Sequence, residues 1–160
     1  QQVETPLAEI KHDLDSLLEG ERAQNLVSID LTKRGIEMQF SSAAFYSAGS
    51  AVINPSSVGM IDKVIEALNA IEYYKFNVDL EGHTDNVPIN TAQFPSNWEL
   101  SVGRATNIIR YMIEKDVDSD RLKAAGYADT RPLVPNLDSL SGEAIKENQA
   151  QNRRILIRIQ

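Results

Sequence analysis

The chain has 160 residues, 42% of them hydrophobic, no cysteine, and a formal net charge of −7. That length gives one domain with a short appendage, large enough to bury a core without covalent staples. The acidic excess excludes a general nucleic-acid binder, because no basic surplus exists to displace phosphate counterions, and the lack of cysteine excludes disulfides, thiolate nucleophiles and cysteine metal sites.

Taken in chain order, Thr5-Pro6 is a helix start, with threonine as cap and proline in the first turn. Leu7, Ile10, Leu14, Leu17 and Leu18 then recur at helical spacing to about Gly20. The stripe is narrow, and the helix either packs on the domain or pairs with a partner helix. Residues 1–24 are therefore read as a linker helix and 25–160 as the domain proper. Leu26 to Leu31 and Ile36 to Phe40 read as strands around a Lys33-Arg34-Gly35 turn. Asn54-Pro55 opens a helix whose stripe is Val58, Ile61, Val64, Ile65, Leu68 and Ile71.

Phe76 to Gly82 reads as a strand, 86–95 as a polar loop with two prolines, and Trp98 to Lys115 as a helix. A short strand lies within Arg121 to Tyr127, a proline-bearing loop over 131–138, a helix over Ser141 to Gln149, and a last strand over Arg154 to Ile159. Apolar residues runs are far shorter than the ~20 residues a membrane-spanning helix needs. No signal-peptide pattern is present, so export or tethering would call on a segment outside these residues.

The strands fix the fold class. Ile36, Met38 and Phe40 alternate with Glu37 and Gln39, and Phe76, Val78 and Leu80 alternate with Asn77, Asp79 and Glu81. Strands covered on both faces by helices read as unbroken apolar runs, and these do not. The expectation is an α/β two-layer sandwich, a mixed sheet with helices on one face. Leu156 interrupts the alternation of the last strand and marks it as central.

The chemistry gathers around Asp85, just past the third strand, and Arg104, two turns into the following helix. Helical spacing puts Trp98, Val102, Ala105, Ile109 and Met112 on the expected core face and Asn97, Ser101, Arg104 and Ile108 beside it. If strand exit and helix start share one end of the domain, a carboxylate and a guanidinium face each other across a gap. That pair suits a zwitterion: arginine forks onto a carboxylate, aspartate accepts from an ammonium, and the helix start adds a positive field. The competing reading is a plain Asp85–Arg104 salt bridge. His83 and Asp85 have a metal-like spacing, but the other histidine, His12, belongs to a distant helix. No Gly-x-Ser-x-Gly elbow is present for a hydrolase.

Four motifs in order, EGHTDNVP, SNWELSVGRATNIIRYMI, AAGYADTRPLVPN and NRRILIRI, resemble the OmpA-like peptidoglycan-binding domain over about Ile36 to Gln160. The tryptophan in SNWELS and the longer loop before it resemble the flagellar motor stator B subunit, and within that branch the sodium-driven, polar-flagellum type. The resemblance implies a non-catalytic domain without cofactor or metal, gripping meso-diaminopimelate of the peptidoglycan stem. It implies Asp85 for the ligand's ammonium, Arg104 for its carboxylate, Thr84, Asn97, Leu100 and Ser101 as lining, and Asn152 and Arg153 nearby.

The same resemblance implies a homodimer, a stator A subunit as membrane partner, contact with periplasmic flagellar ring proteins, and a periplasmic location behind a single inner-membrane helix outside this chain. The first helix, whose thin stripe fits a weakly docked element, would then detach or extend when the stator joins a motor. An alternative machine with the same grip is the terminal domain of an outer-membrane protein or lipoprotein; a metal-dependent hydrolase using His83 and Asp85 is the alternative from another class. The loop over 86–95 is longer than the short glycine-bearing turn many family members carry, and would either cover the pocket or form a separate contact surface.

Overall fold

Thr5 caps helix α1 (Pro6–Leu17), its hydroxyl accepting from the Ala8 amide at 3.2 Å. The computed structural model describes residues 5–70 and 76–160, so the last stripe position expected of the second long helix, Ile71, lies outside the described residues. A short helix α2 (Glu19–Ala23) follows, then the hairpin β1 (Val27–Thr32) and β2 (Gly35–Ser41). A one-turn helix α3 (Ser42–Phe45) and a 3₁₀ turn (Pro55–Ser57) lead into α4 (Val58–Asn69). Next come β3 (Val78–His83), α5 (Asn97–Glu114), β4 (Leu122–Gly126), α6 (Lys146–Asn152) and β5 (Arg154–Ile159).

The strands form one mixed sheet in the order β1-β2-β5-β3-β4. β3 and β4 are parallel and the other pairings antiparallel, so α5 is the crossover that a parallel pair requires. β5 lies at the centre, as the interrupted alternation of its sequence indicates. Helices α1, α4 and α5 cover one face, and their apolar stripes meet Ile36, Met38, Phe40, Val78, Leu80, Ile155, Ile157 and Ile159 in one core. This is the expected two-layer α/β architecture.

Three local expectations are corrected. The helix placed over Ser141 to Gln149 begins instead at Lys146. The Asp138 carboxylate accepts from the Leu140 and Ser141 amides at 2.9 Å each, and Gly142 takes a positive φ of 71°, so this stretch closes a turn. Trp98, assigned to the core face of α5, is 50% exposed. The buried residues are Leu100, Ser101, Arg104, Ala105, Ile108 and Met112, a stripe rotated from the expected one because the helix sits over two strands at once. Helix α1 packs on the domain, one of its two alternatives, and is not weakly docked: Ile10, Leu14 and Leu18 are fully buried against α4 and the β1–β2 hairpin. Full burial of each such side chain contributes roughly 1.5–3 kcal/mol.

The other face of the sheet alternates as polar, yet in β3 and β5 it is buried too. Arg158, 3% exposed, donates to Glu81 at 2.9 Å and to Glu37 at 3.1 Å, linking β5 to both its neighbours. Glu81 also faces Nε2 of His83 at 3.2 Å, and the His83 ring stacks on Tyr127 with centroids 5.3 Å apart. A carboxylate so surrounded is held down, chiefly by the His83 bond and then by Arg158, and the Glu81 carboxyl lies at about 2.

Candidate functional site

β2 and β3 both run antiparallel to β5, so their C-terminal ends and the start of β5 meet at one end of the sheet: Ser41 pairs with Arg154, and Arg154 with His83. The segments leaving those ends, 42–50 and 84–89, converge there with Arg153 and with the first turns of α5. Close approach of α5 is possible because two strand positions have no side chain. A Cβ on Gly82 would lie 2.2 Å from the Ser101 carbonyl oxygen, and one on Gly126 would lie 2.5 Å from the Val102 amide nitrogen.

A cavity of about 440 Å³ opens between these segments, within the range of small-ligand sites. Thr84, Asp85, Asn97, Leu100, Arg104 and Arg153 all line it. Asp85 is 6% exposed; its Oδ1 accepts from the Val87 amide at 2.9 Å and its Oδ2 from Arg153 Nη1 at 2.5 Å. Arg104 is 5% exposed; its Nε donates to the Ser50 carbonyl at 2.8 Å, its Nη2 to the Ser47 carbonyl at 3.3 Å, and its guanidinium lies 4.8 Å over the Tyr46 ring. Burial pulls the Arg104 guanidinium below its ordinary value, with the Arg153 charge acting in the same sense and Asp85 opposing. The plain Asp85–Arg104 salt bridge is therefore not what forms: Asp85 pairs with Arg153, and Arg104 is held by backbone carbonyls.

The loop over 86–95 walls the cavity with Val87 and Ile89. It is tied down by Asn97 Nδ2, which donates to the Val87 carbonyl at 2.9 Å, and by Phe94, buried with Ala51 and Leu100. The first turn of α5 is capped internally, Ser96 Oγ accepting from the Trp98 amide at 3.2 Å. Thr84 donates its hydroxyl to the Asp85 carbonyl at 2.8 Å.

Ser101, expected as lining, and Asn152, expected nearby, are not in the cavity wall. Ser101 is fully buried; its Oγ donates to the Trp98 carbonyl at 3.1 Å and accepts from the Ala128 amide at 3.2 Å. It faces β4 and its exit, because it lies on the side of α5 that meets Gly82 and Gly126. Asn152 is also fully buried, its Oδ1 accepting from the Leu133 and Val134 amides at 2.8 and 3.2 Å and its Nδ2 donating to the Val134 carbonyl at 2.8 Å. Both hold backbone in place. Conversely, sequence reasoning passed over 42–50, which supplies Ser42, Ala43, Tyr46, Ala48 and Gly49 to the wall. The available signal was Tyr46 amid a run of small residues, Ser41 to Ala51.

A second cavity of about 390 Å³ lies between the β1–β2 pair and α6 and carries one charged residue, Arg154. The 440 Å³ cavity has one carboxylate against two guanidiniums.

Residues 45–153, which include the lining of that cavity apart from Ser42 and Ala43, match the OmpA family. The chain belongs to the OmpA family. Motility protein B of Bacillus subtilis is 29% identical over 96% of this OmpA-family chain and 56% of its own length. Among solved structures, the cell wall anchor of the type VI secretion system from Pseudomonas aeruginosa superposes with a TM-score of 0.77 at 26% identity, covering 90% of this chain and 94% of that one. The periplasmic domain of Helicobacter pylori MotB gives a TM-score of 0.71 at 25% identity over 83% and 80%. The OmpA-family chain spans about half the length of the curated relatives it matches, 46% and 56% in two cases.

Proposed function

We propose that this OmpA-family chain is a non-catalytic anchor that grips peptidoglycan, with the 440 Å³ cavity receiving the meso-diaminopimelate of the peptide stem. The observation that carries the reading is that Asp85 and Arg104 line one cavity while each is anchored by other partners. The free end of diaminopimelate carries an ammonium and a carboxylate on one carbon. Asp85 accepts from the ammonium, and Arg104, whose Nε and Nη2 are committed to carbonyls, offers its remaining Nη1 protons to the carboxylate. Thr84, Asn97 and Leu100 shape the cavity, and Ser101 and Asn152 position its frame.

Relatives named as a cell wall anchor and as motility proteins support wall gripping. The match to motility protein B extends over 96% of the chain, which favours a flagellar stator over other wall-linked machines. On this reading the chain is the periplasmic part of a single-pass inner-membrane stator B subunit, working as a homodimer beside a stator A subunit and near periplasmic flagellar ring proteins, with sodium as the coupling ion. Residues 1–24 then link wall-binding domain and membrane.

The test is co-sedimentation with purified sacculi and titration with meso-diaminopimelate. Asp85→Asn removes the charge that accepts the ammonium, and Arg104→Lys removes the guanidinium whose Nη1 protons meet the carboxylate. Each is expected to lower affinity at least about tenfold, the loss of a charge-assisted hydrogen bond. Folded variants that sediment and titrate like the parent chain would sink the assignment.

A further inference from the structure

The ammonium-accepting residue of the cavity already carries a cation. Asp85 Oδ2 accepts from Arg153 Nη1 at 2.5 Å, and Oδ1 from the Val87 amide. An incoming ammonium therefore competes with a cation for that carboxylate.

We infer that Arg153 holds the position on Asp85 that the ligand's ammonium would take, and that its displacement makes the site select side chains bearing both an ammonium and a carboxylate over those bearing an ammonium alone. This rests on the proposed peptidoglycan reading of the same cavity.

The placement of Arg153 suits the role. Its backbone is pinned: its amide donates to the Gln149 carbonyl at 3.1 Å, and its carbonyl accepts from the Ser42 amide at 3.0 Å. Its side chain, by contrast, is 44% exposed, whereas that of Asp85 is 9% exposed. The guanidinium thus reaches from a fixed root over the rim onto a buried carboxylate, and it can leave without moving the backbone. Arg104, fixed on two carbonyls, cannot yield in the same way.

Charge then decides which guests are tolerated. The wall holds two guanidiniums and one carboxylate. A lysine-type stem brings one more cation and no anion, so the displaced Arg153 faces Arg104 and an ammonium with nothing to pair with. A diaminopimelate-type stem brings its own carboxylate, to which both arginines can turn. In a half-buried site this difference is screened less than on an open surface.

The test is calorimetric titration of the chain, parent and Arg153→Gln, with two matched probes. Mono-N-acetyl-meso-diaminopimelic acid and Nα-acetyl-L-lysine differ at the free amine carbon by a single carboxylate. The parent is expected to prefer the diaminopimelate probe strongly. R153Q is expected to bind the lysine probe about tenfold tighter than the parent does, narrowing the preference, since the ammonium no longer competes with a charge-assisted bond. Arg153→Lys, which keeps the charge, is expected to keep the preference. An exposed side chain makes loss of folding the lesser concern, and a thermal melt of each variant verifies that it is folded. If the parent binds the diaminopimelate probe and R153Q leaves the ratio between probes unchanged, the stand-in role is wrong. If the parent binds neither probe, the peptidoglycan reading itself falls, and this inference with it.

Discussion

Asp85 and Arg104 share a cavity without sharing a hydrogen bond: Asp85 is held by Val87 and Arg153, Arg104 by the carbonyls of Ser47 and Ser50. The two residues are therefore held unequally. Arg104→Ala leaves two carbonyls without their donor and removes the stacking on Tyr46, and is expected to lower stability by about 2–3 kcal/mol in urea melts. Asp85→Asn keeps an oxygen for the Val87 amide and frees a half-exposed arginine, and is expected to stay within about 1 kcal/mol of the parent. Equal melts for the two would show that the Ser47 and Ser50 carbonyls do not depend on Arg104.

Gly82 sets the height of α5 over the sheet. A methyl group there would meet the Ser101 carbonyl at 2.2 Å, a backbone atom that cannot swing away. Gly82→Ala is expected to cost about 3 kcal/mol, at the upper end for overpacking, and to weaken ligand binding by displacing Arg104. A variant as stable as the parent, with unchanged affinity, would mean the helix has slack that the geometry does not indicate.

Much of this was legible in the sequence, for identifiable reasons. Two-residue alternation in β2, β3 and β5 marks a sheet with one greasy face, and Leu156 marks the central strand. The positions of Asp85 and Arg104, one at a strand exit and one two turns into the next helix, were enough to bring them to one end of the sheet. What stayed hidden depends on contacts between segments distant in sequence. Arg153 reaches Asp85 across 68 positions, and nothing local announces that choice of partner. Ser101 and Asn152 are polar types that sequence reading assigns to a site, yet their hydrogen bonds run to backbone at Ala128 and at Leu133 and Val134. Trp98 misled because a large aromatic at helical spacing is ordinarily core, whereas here the register of α5 is set by close approach at Gly82 and Gly126.

Asn152 is a framework residue by geometry. Asn152→Ala strips the Leu133 and Val134 amides and the Val134 carbonyl of their buried partner. Loss of about 2–4 kcal/mol is expected, with faster amide exchange at Leu133 and Val134. Unchanged protection at those two amides would contradict the assignment.

Glu81 gives the fold an acid limit. Its carboxyl lies at about 2 in the folded chain against an ordinary 4.5, because of the His83 and Arg158 bonds. A group depressed on folding contributes stability that is complete above its ordinary value and is lost as pH falls through the folded one. The melting temperature is therefore expected to drop between about pH 4.5 and 2, and Glu81→Gln to flatten that part of the profile. At neutral pH, Glu81→Ala leaves Arg158 short of a buried partner and is expected to cost about 3 kcal/mol, the low end for a broken buried pair, because Glu37 still accepts from Arg158. A Glu81→Gln profile parallel to the parent's across that window would refute the linkage.

Helix α1 is bound to the domain through Ile10, Leu14 and Leu18, all fully buried, and through the Glu21–Lys63 ion pair at 2.7 Å beyond its end. The ion pair is partly exposed and adds little, so the apolar stripe decides whether the helix stays docked. Leu14→Ala removes a buried side chain from the middle of that stripe and is expected to cost about 3 kcal/mol in a single cooperative transition. Glu21→Gln is expected to change stability by less than about 1 kcal/mol. If Leu14→Ala melted like the parent, the helix would not share the cooperative core, and a linker that detaches freely when the assembly forms would be the better description. If it melts early but still as one unit, any rearrangement of α1 on assembly must be driven by contacts that repay the burial of three large side chains.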